Sequence, residues 1–218
     1  NNQLRKFQGL SYRCIYEEVP RRTTASVLLA CLGIEESEYV FVVASDHMID
    51  SSSEKYRDAI MEAKEKAGRG YISVFGKEED KADPKYGYII NGFFTEKPQN
   101  VEELMNDNVI YRNLGMMLFM NGTLLKEAGT LIPDIFAQCK AGYRKKERKG
   151  RSIFYSEDIL KTIEPVSIER SILEKTNLLN MTQAKFPWKE LTSLEDLDVS
   201  DYEASGLSIK NNRSEEHT

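Results

Sequence analysis

The chain has 218 residues, of which 30 are Lys or Arg and 35 are Asp or Glu, so its formal net charge at pH 7 is -5. This length suits one domain with an appendage, and 40% hydrophobic residues is the composition of an ordinary globular protein. The negative charge argues against a nucleic-acid partner, because non-specific affinity for DNA or RNA comes from clustered Lys and Arg. No stretch reaches the ~18–20 consecutive apolar residues of a membrane helix, so we predict a soluble protein.

The cysteines and histidines exclude further classes of site. Cys14, Cys31 and Cys139 are far apart and odd in number, which favours a reducing, cytoplasmic environment over a disulfide framework. His217 lies almost at the chain end, so a His-rich zinc site or a Ser-His-Asp hydrolase would depend on His47 alone. We predict a structural role for His47 and assign it no catalytic step.

The two ends of the sequence suggest a piece of a longer protein. The chain starts at Asn1 without a Met and without a signal-peptide pattern, so we expect further sequence upstream. Residues 213–218 (RSEEHT) match the translation of a common sequencing adapter, and we interpret them as a scar rather than as a natural polar tail. The predicted organisation is a partial domain at residues 1–199 and a polar tail at residues 200–218.

The first half of the chain predicts alternating helices and strands. Residues 27–32 read as an apolar helix segment, and residues 39–44 (YVFVVA) are typical of a strand buried on both faces of a parallel sheet. A helix with one apolar face begins near Ser51, and residues 71–75 form the next strand. Because such crossovers nearly always join parallel strands, we predict an α/β architecture.

The second half continues with short elements and one basic run. The pattern predicts a hairpin turning at Asn91-Gly92. The other predicted elements are a helix at residues 101–105, a strand at residues 114–120, and helices at residues 123–128 and 133–143. Residues 144–151 then carry six bases and one acid. This run could bind an anionic ligand, but a solvated helix end and loop is the interpretation we favour.

Acidic and basic side chains follow two of the predicted strands. Ligands of open α/β sheets bind beyond the carboxyl ends of the strands, where Asp46 could hold Mg²⁺ against substrate phosphates or cap the following turn. Glu96 could accept hydrogen bonds from sugar hydroxyls while Lys97 binds a phosphate, or the two side chains could form an exposed ion pair. Glu174 and Lys175 allow the same two interpretations.

Taken together, these segments resemble the bacterial-type mannose-1-phosphate guanylyltransferases of the sugar nucleotidyltransferase superfamily. The resemblance is collinear from about Glu18 to Leu194, and order and spacing agree. The matching segments are RTTAS at residues 22–26, ASDH at 44–47, FG at 75–76, YGYI at 86–89, FTEKP at 94–98, NLGM at 113–116, SIE at 167–169, EKT at 174–176 and WKELTSL at 188–194.

The resemblance implies a Rossmann-like, GT-A-like nucleotidyltransferase fold with a mostly parallel central sheet that is incomplete at the N-terminus. It implies an enzyme that uses Mg²⁺ to make GDP-mannose and pyrophosphate from GTP and mannose 1-phosphate. No nucleic-acid or membrane partner is expected, and a homo-oligomer is compatible with the resemblance. The implied catalytic residues are Asp46 and Lys97, and the implied metal ligands are Asp46 and Glu190. The implied substrate-binding residues are Thr24, Gly87, Tyr88, Glu96, Lys97, Asn113, Gly115, Glu169 and Lys175.

The sequence also departs from the family pattern. The family's phosphate-cradling G-x-G-x-R loop would lie upstream of Asn1, so we expect that this chain by itself does not turn over GTP. Glu190 stands where the family has its second metal-binding Asp, and Thr192 and Leu194 replace a Gly and a Trp. An extra methylene is costly for Mg²⁺, which demands near-ideal geometry. The stretch between the YGYI and FTEKP segments is also shorter than in the family.

These departures keep two other hypotheses open. The protein could be a non-catalytic regulatory paralogue that binds sugar nucleotide, or a nucleotidyltransferase for another hexose 1-phosphate. We also expect the chain alone to aggregate, since a missing first strand would expose a sheet edge and apolar surface.

Overall fold

A computed structural model of the chain describes Gly9 and residues 11–191, in which short strands alternate with helices. The strands are β1 (Cys14–Glu17), β2 (Tyr39–Val42), β3 (His47–Ile49), β4 (Ile72–Glu78), β5 (Gly87–Ile90), β6 (Phe93–Glu96), β7 (Ile110–Met120), β8 (Glu147–Lys149), β9 (Ser152–Tyr155), β10 (Leu179–Gln183) and β11 (Trp188–Glu190). The helices are α1 (Arg22–Cys31), α2 (Glu54–Gly68), α3 (Val101–Asp107), α4 (Asn121–Leu131), α5 (Pro133–Arg144) and α6 (Glu157–Leu160), followed by a π-helical turn at Glu169–Leu173.

A mixed six-stranded sheet forms the centre of the α/β fold, in the order β10-β4-β7-β5-β6 with β2 beside β7. The 11-residue strand β7 runs antiparallel to β2, β4 and β5, whereas β4 and β10 pair in parallel. The prediction that β2 and β4 run parallel is therefore confirmed, although the two strands do not pair with each other. The two strands share a direction, but they lie on opposite edges of β7, where Val42 and Val74 both pair with Met117.

Helices cover both faces of this sheet. Along β7, Met117 and Phe119 pack into one apolar cluster with α1, α4 and α5, while Met116 and Leu118 pack into a second cluster with α2. Successive residues of a strand point to opposite faces, so a strand buried on both faces is apolar at every position. The predicted strand at residues 114–120 has this property.

Strand β2 differs from the prediction of a strand buried on both faces. Tyr39 is 43% exposed and Val43, just after the strand, is 50% exposed. Among the described residues β2 pairs only with β7, so it is an edge strand of the sheet. The apolar composition of residues 39–44 predicted the strand correctly but not its surroundings.

Two smaller sheets flank the centre. β1, β9 and β8 form one, and β3 pairs antiparallel with β11 in the other. Residues 147–149 of the basic run form β8 and are exposed, in agreement with the solvated interpretation. The predicted hairpin is confirmed, because Asn91 and Gly92 join β5 to β6 with positive φ angles of 51° and 85°.

Other predictions concern the cysteines, a membrane and the tail. Within the described residues, Cys14, Cys31 and Cys139 form no disulfide bond. Within residues 11–191, no helix has both the length and the apolar character that crossing a membrane requires. The predicted polar tail at residues 200–218, its six-residue scar, and the positions Thr192 and Leu194 lie outside the described residues.

Candidate functional site

A cleft of about 670 Å³ opens where β3, β5, β6, β7 and β11 approach the π-helical turn. This volume is within the range of ~300–1,000 Å³ that is typical of small-molecule sites. Most of the predicted site residues line it. They are Asp46, Gly87, Glu96, Lys97, Asn113, Gly115, Glu169 and Glu190.

Asp46 and Glu190 come together through the pairing of β3 with β11. Glu190 lies opposite His47 in the strand register, and the backbone N–H of Leu191 donates to the carbonyl oxygen of Asp46 at 2.8 Å. The side chain of Asp46 is half exposed. The pairing of two strands far apart in sequence thus brings two carboxylate-bearing positions to one side of the cleft.

The chemistry of this donor set fits Mg²⁺. In proteins Mg²⁺ usually binds one or two carboxylates and completes its octahedron with water and substrate phosphates. Asp46 and Glu190 supply two carboxylates in a cleft open to solvent. Over the described range, no group of three or more His, Cys, Asp and Glu is arranged to hold a metal by protein ligands alone. Such a site would therefore depend on the phosphates of its ligand.

Glu96 lies at the end of β6, directly opposite Gly87 on β5. A Cβ atom at Gly87 would approach Glu96 Oε2 to 2.7 Å, so the glycine is what makes room for this carboxylate. The Glu96 side chain is 12% exposed, and this burial raises the pKa of its carboxyl group. The charge of Glu169 raises the pKa further, while Lys97 and Arg170 oppose the rise.

Lys97 follows Glu96 with a strained backbone. Its φ of +53° lies in the left-handed region that non-glycine residues rarely adopt. Its ammonium is half exposed and lies 3.8 Å from Glu96 Oε1. Arg22, which also lines the cleft, has a similar φ of +61°. Strain of this kind clusters at ligand sites, where the surrounding fold holds a side chain in a required place.

Four buried polar atoms around the cleft have no hydrogen-bond partner within the described residues. They are Asn113 Oδ1 and Arg112 Nε on β7, Trp188 Nε1 on β11 and His47 Nδ1 on β3. Leaving a buried donor or acceptor unpaired costs about 1–3 kcal/mol, and such groups are rare in native proteins. Their concentration at one cleft marks a region shaped for polar interactions rather than for stability alone.

Glu169 begins the π-helical turn, and Thr23 fixes that turn from α1. The Thr23 hydroxyl accepts a hydrogen bond from the backbone N–H of Ile168 at 2.9 Å and donates to Glu169 Oε2 at 3.4 Å. Short π-helical segments are frequent at functional sites. Here the segment directs Glu169 and Arg170, two consecutive residues, into the same cleft.

Three of the predicted substrate-binding residues lie outside this cleft. Thr24 is fully buried, and its hydroxyl is hydrogen-bonded to Ser171 at 2.9 Å. Tyr88 is 1% exposed, because it follows Gly87 on β5 and points to the opposite face, where its hydroxyl donates to the carbonyl of Asp83. Lys175 lines a separate cavity of about 260 Å³ near the start of α5. The structure gives Thr24 and Tyr88 packing roles and places Lys175 elsewhere.

Several other cleft residues were not assigned a binding or catalytic role from the sequence, although Thr23 was noted as a departure from the family at a ligand-facing position. They are Arg22, Thr23, Lys85, Tyr86, Arg112, Arg170 and Trp188, together with His47, to which a structural role was assigned. The cleft therefore contains five Lys or Arg and four Asp or Glu side chains. Arg112 and Arg170 adjoin the predicted Asn113 and Glu169, and this adjacency was the one sign of them in the sequence. Cations for phosphate and carboxylates for hydroxyls or a metal are the groups that a phosphorylated sugar requires.

His47 is packed rather than exposed. Its imidazole meets the Trp188 ring edge-on, with the ring centroids 5.2 Å apart. Burial lowers the pKa of His47, although the charges of Asp46 and Glu190 oppose this effect. The histidine is therefore neutral at pH 7, in keeping with the structural role predicted for it.

The family model described as Nucleotidyl transferase matches residues 1–159. The chain belongs to the nucleotidyl transferase family. It is 29% identical over 196 residues to the mannose-1-phosphate guanylyltransferase ManC of Salmonella typhimurium, and 28% identical over 193 residues to a mannose-1-phosphate guanylyltransferase of Klebsiella pneumoniae. Both alignments cover 80% of this chain and 41% of the relative, so the chain spans less than half the length of these relatives. The prediction of a nucleotidyltransferase is confirmed.

Solved structures support the same fold. The crystal structure of mannose-6-phosphate isomerase from Helicobacter pylori is similar with a TM-score of 0.81 at 25% identity, covering 85% of this chain and 77% of that chain. The crystal structure of mannose-1-phosphate geranyltransferase from Thermus thermophilus is similar with a TM-score of 0.63 at 23% identity, covering 79% and 52%. The predicted Rossmann-like fold class is confirmed. The prediction that its central sheet is mostly parallel is wrong, because β4 with β10 is the one parallel pair among the described strands of that sheet.

Proposed function

We propose that this chain forms the sugar-phosphate and metal side of a guanylyltransferase, which transfers GMP from GTP to mannose 1-phosphate and releases pyrophosphate. Membership of the nucleotidyl transferase family supports the reaction class, and the names of the relatives support the choice of sugar and nucleotide. The observation that carries the proposal is the joint placement of Glu96 and Lys97 with Asp46 and Glu190 in one cleft.

Glu96 and Lys97 are suited to the two ends of a sugar phosphate. The Glu96 carboxylate accepts hydrogen bonds from sugar hydroxyls, and the neighbouring Lys97 ammonium attracts the phosphate as a point charge. A phosphate monoester has a second pKa of about 6, so the attacking oxygen is already largely ionised at pH 7. The reaction needs no general base, and these residues contribute by binding and orientation.

Asp46 and Glu190 would hold Mg²⁺ with the phosphates of the bound substrates. When bound, the ion neutralises negative charge on the transferred phosphoryl group and the departing pyrophosphate. Asn113, whose buried Oδ1 is unpaired in the described structure, would orient the sugar, and the positive φ of Gly115 lets the backbone of β7 bend beside it.

Calorimetric titration of the purified chain with mannose 1-phosphate in the presence of Mg²⁺ tests the proposal. We expect saturable binding that Lys97→Met weakens about tenfold, since a hydrogen-bonded charge contributes about 1.5–3 kcal/mol. Lys149→Met is the matched control, because Lys149 lies on exposed β8 outside the cleft. Absence of binding to every hexose 1-phosphate would overturn the proposal.

The same titration separates the alternative sugars. Glucose 1-phosphate and galactose 1-phosphate share the phosphate and differ from the mannose compound in hydroxyl configuration. Tighter binding of either would assign the protein to another hexose 1-phosphate. Because GTP and sugar phosphates are cytoplasmic metabolites, we expect the protein in the cytoplasm.

A non-catalytic regulatory role is the second candidate. Glu190 stands at the position of the family's Asp, and no third protein ligand accompanies Asp46 and Glu190 among residues 11–191. Glu190→Asp in a protein that also carries the phosphate-cradling loop discriminates between the two functions. Pyrophosphate release that appears or increases in this variant supports the enzyme, whereas sugar-nucleotide binding without turnover in both forms supports the regulatory role.

A further inference from the structure

Arg112, on the central strand β7, lies between two aromatic rings at the edge of the cleft. Its guanidinium carbon is 4.6 Å from the centre of the Tyr86 ring and 5.2 Å from that of Trp188. Its Nε lies 2.9 Å from Glu79 Oε1, and the side chain is only 17% exposed. A planar, weakly hydrated guanidinium can lie against a ring on each of its faces, which the compact ammonium of a lysine cannot do.

These contacts connect two sheets that share no strand pairing among the described residues. Tyr86 precedes β5, and Trp188 belongs to β11, which pairs with β3 in a sheet of its own. Arg112 therefore connects the central sheet directly to the small sheet that carries the proposed metal carboxylates. Trp188 and Glu190 are two residues apart on β11, so their side chains project from the same face of that strand.

Trp188 also meets His47, the residue that follows Asp46. Arg112 therefore lies against the indole ring, and the His47 ring meets the indole edge-on. Through His47, the Trp188 side chain on β11 also contacts β3, the other strand of the small sheet. A displacement of this indole would move Glu190 on its own strand and His47 on the other. The guanidinium contacts the indole from β7, and the indole also packs against the apolar cluster that β7 shares with α2.

We propose that Arg112 is a positioning residue, which acts through Trp188 to hold Glu190 beside Asp46 for the metal. This inference rests on the proposed function, because it concerns the same two carboxylates. The charge contact with Glu79 and the two ring contacts fix where the guanidinium lies, while its Nε forms no hydrogen bond within the described residues.

The test measures Mn²⁺ binding to the purified chain by the loss of the free-ion electron paramagnetic resonance signal, with mannose 1-phosphate at saturation. Arg112→Lys keeps the positive charge and removes the planar group. We expect it to weaken Mn²⁺ binding about tenfold, within the ~10–100-fold range for lost outer partners of metal ligands. Lys77→Gln is the matched control, because exposed Lys77 pairs with Arg112 across β4 and β7 but lies outside the cleft.

A double-mutant cycle with Glu190→Gln distinguishes positioning from a general structural effect. If Arg112 acts through Glu190, Arg112→Lys weakens Mn²⁺ binding in the natural sequence but not in the Glu190→Gln background, measured at higher Mn²⁺. Equal effects in both backgrounds, or no effect in either, overturn the inference. Arg112→Met, which retains apolar contact with the rings, gives the same comparison if Arg112→Lys fails to fold. Failure of the unsubstituted chain to bind mannose 1-phosphate refutes instead the proposed function.

Discussion

Gly87 offers a sharp test of how the sheet shapes the cleft. A Cβ atom there would lie 2.7 Å from Glu96 Oε2 and 2.7 Å from Phe94 Cζ, whereas ordinary contacts begin at 3.4 Å. Gly87→Ala therefore requires relative shifts of about 0.7 Å at two atoms. Phe94 is 5% exposed and belongs to the core, so the Glu96 side chain is the group that gives way more easily.

Both stability and ligand binding should respond to Gly87→Ala. Overpacking of this kind costs about 1–3 kcal/mol. At about 2–4 °C per kcal/mol for a chain of this size, the melting temperature should fall by about 2–12 °C. Displacement of the Glu96 carboxylate should weaken mannose 1-phosphate binding about tenfold, because ligand binding depends on positions to within an ångström. Thermal melts followed by circular dichroism and calorimetric titration measure the two effects.

Gly129→Ala is the matched control for Gly87→Ala. Its Cβ would meet Phe136 at an ordinary 3.6 Å within helix α4, where Ala is favoured over Gly by about 1 kcal/mol. We expect this control to melt no lower than the unsubstituted chain and to bind sugar phosphate equally. If Gly87→Ala behaved like the control, or lost stability without losing affinity, the argument that Gly87 makes room for Glu96 would be refuted.

Three further predictions follow from the same cleft. Lys97→Gly should bind mannose 1-phosphate more weakly without melting at a lower temperature, because glycine relieves the positive φ; a clear loss of stability would contradict this account. Thr24→Val should leave the 2% exposed Ser171 hydroxyl without its partner and cost about 1–3 kcal/mol in denaturant unfolding, while an unchanged midpoint would argue against a structural role. Since the pKa of Glu96 is raised by burial, its ionised form destabilises the folded state, so Glu96→Gln should raise the melting temperature at pH 7. That gain should disappear below about pH 4, where the carboxyl group is protonated in both states, and a gain independent of pH would exclude this cause.

The sequence predicted the elements of the fold better than their neighbours. Apolar runs located β2 and β7, and Asn91-Gly92 located a hairpin, because these are local consequences of burial and turn geometry. Strand order depends on which edges meet in three dimensions. β7 is long enough to pair with β4 along one edge and with both β2 and β5 along the other, and nothing in its apolar pattern indicates this.

The candidate site shows a similar division. Motif positions led to Asp46, Glu96 and Lys97, which the fold brings to one cleft. Thr24 and Tyr88 lie in other matching segments, but each side chain is buried on the face of its helix or strand that points away from the cleft, which a list of motifs does not show. Arg112 lies in none of the matching segments and was not predicted. Its place in the cleft depends on aromatic side chains from two segments far from it in the sequence.

Trp188 is the only tryptophan of the 218 residues, and it stands at the edge of the cleft. Intrinsic tryptophan fluorescence from this protein therefore originates at one defined place and requires no label. An unfolding curve followed by this emission records the opening of the cleft, while far-ultraviolet circular dichroism records the loss of the helices. Coincident transitions would show that cleft and core unfold as one cooperative unit, and an earlier fluorescence transition would show that the cleft opens at a lower free energy.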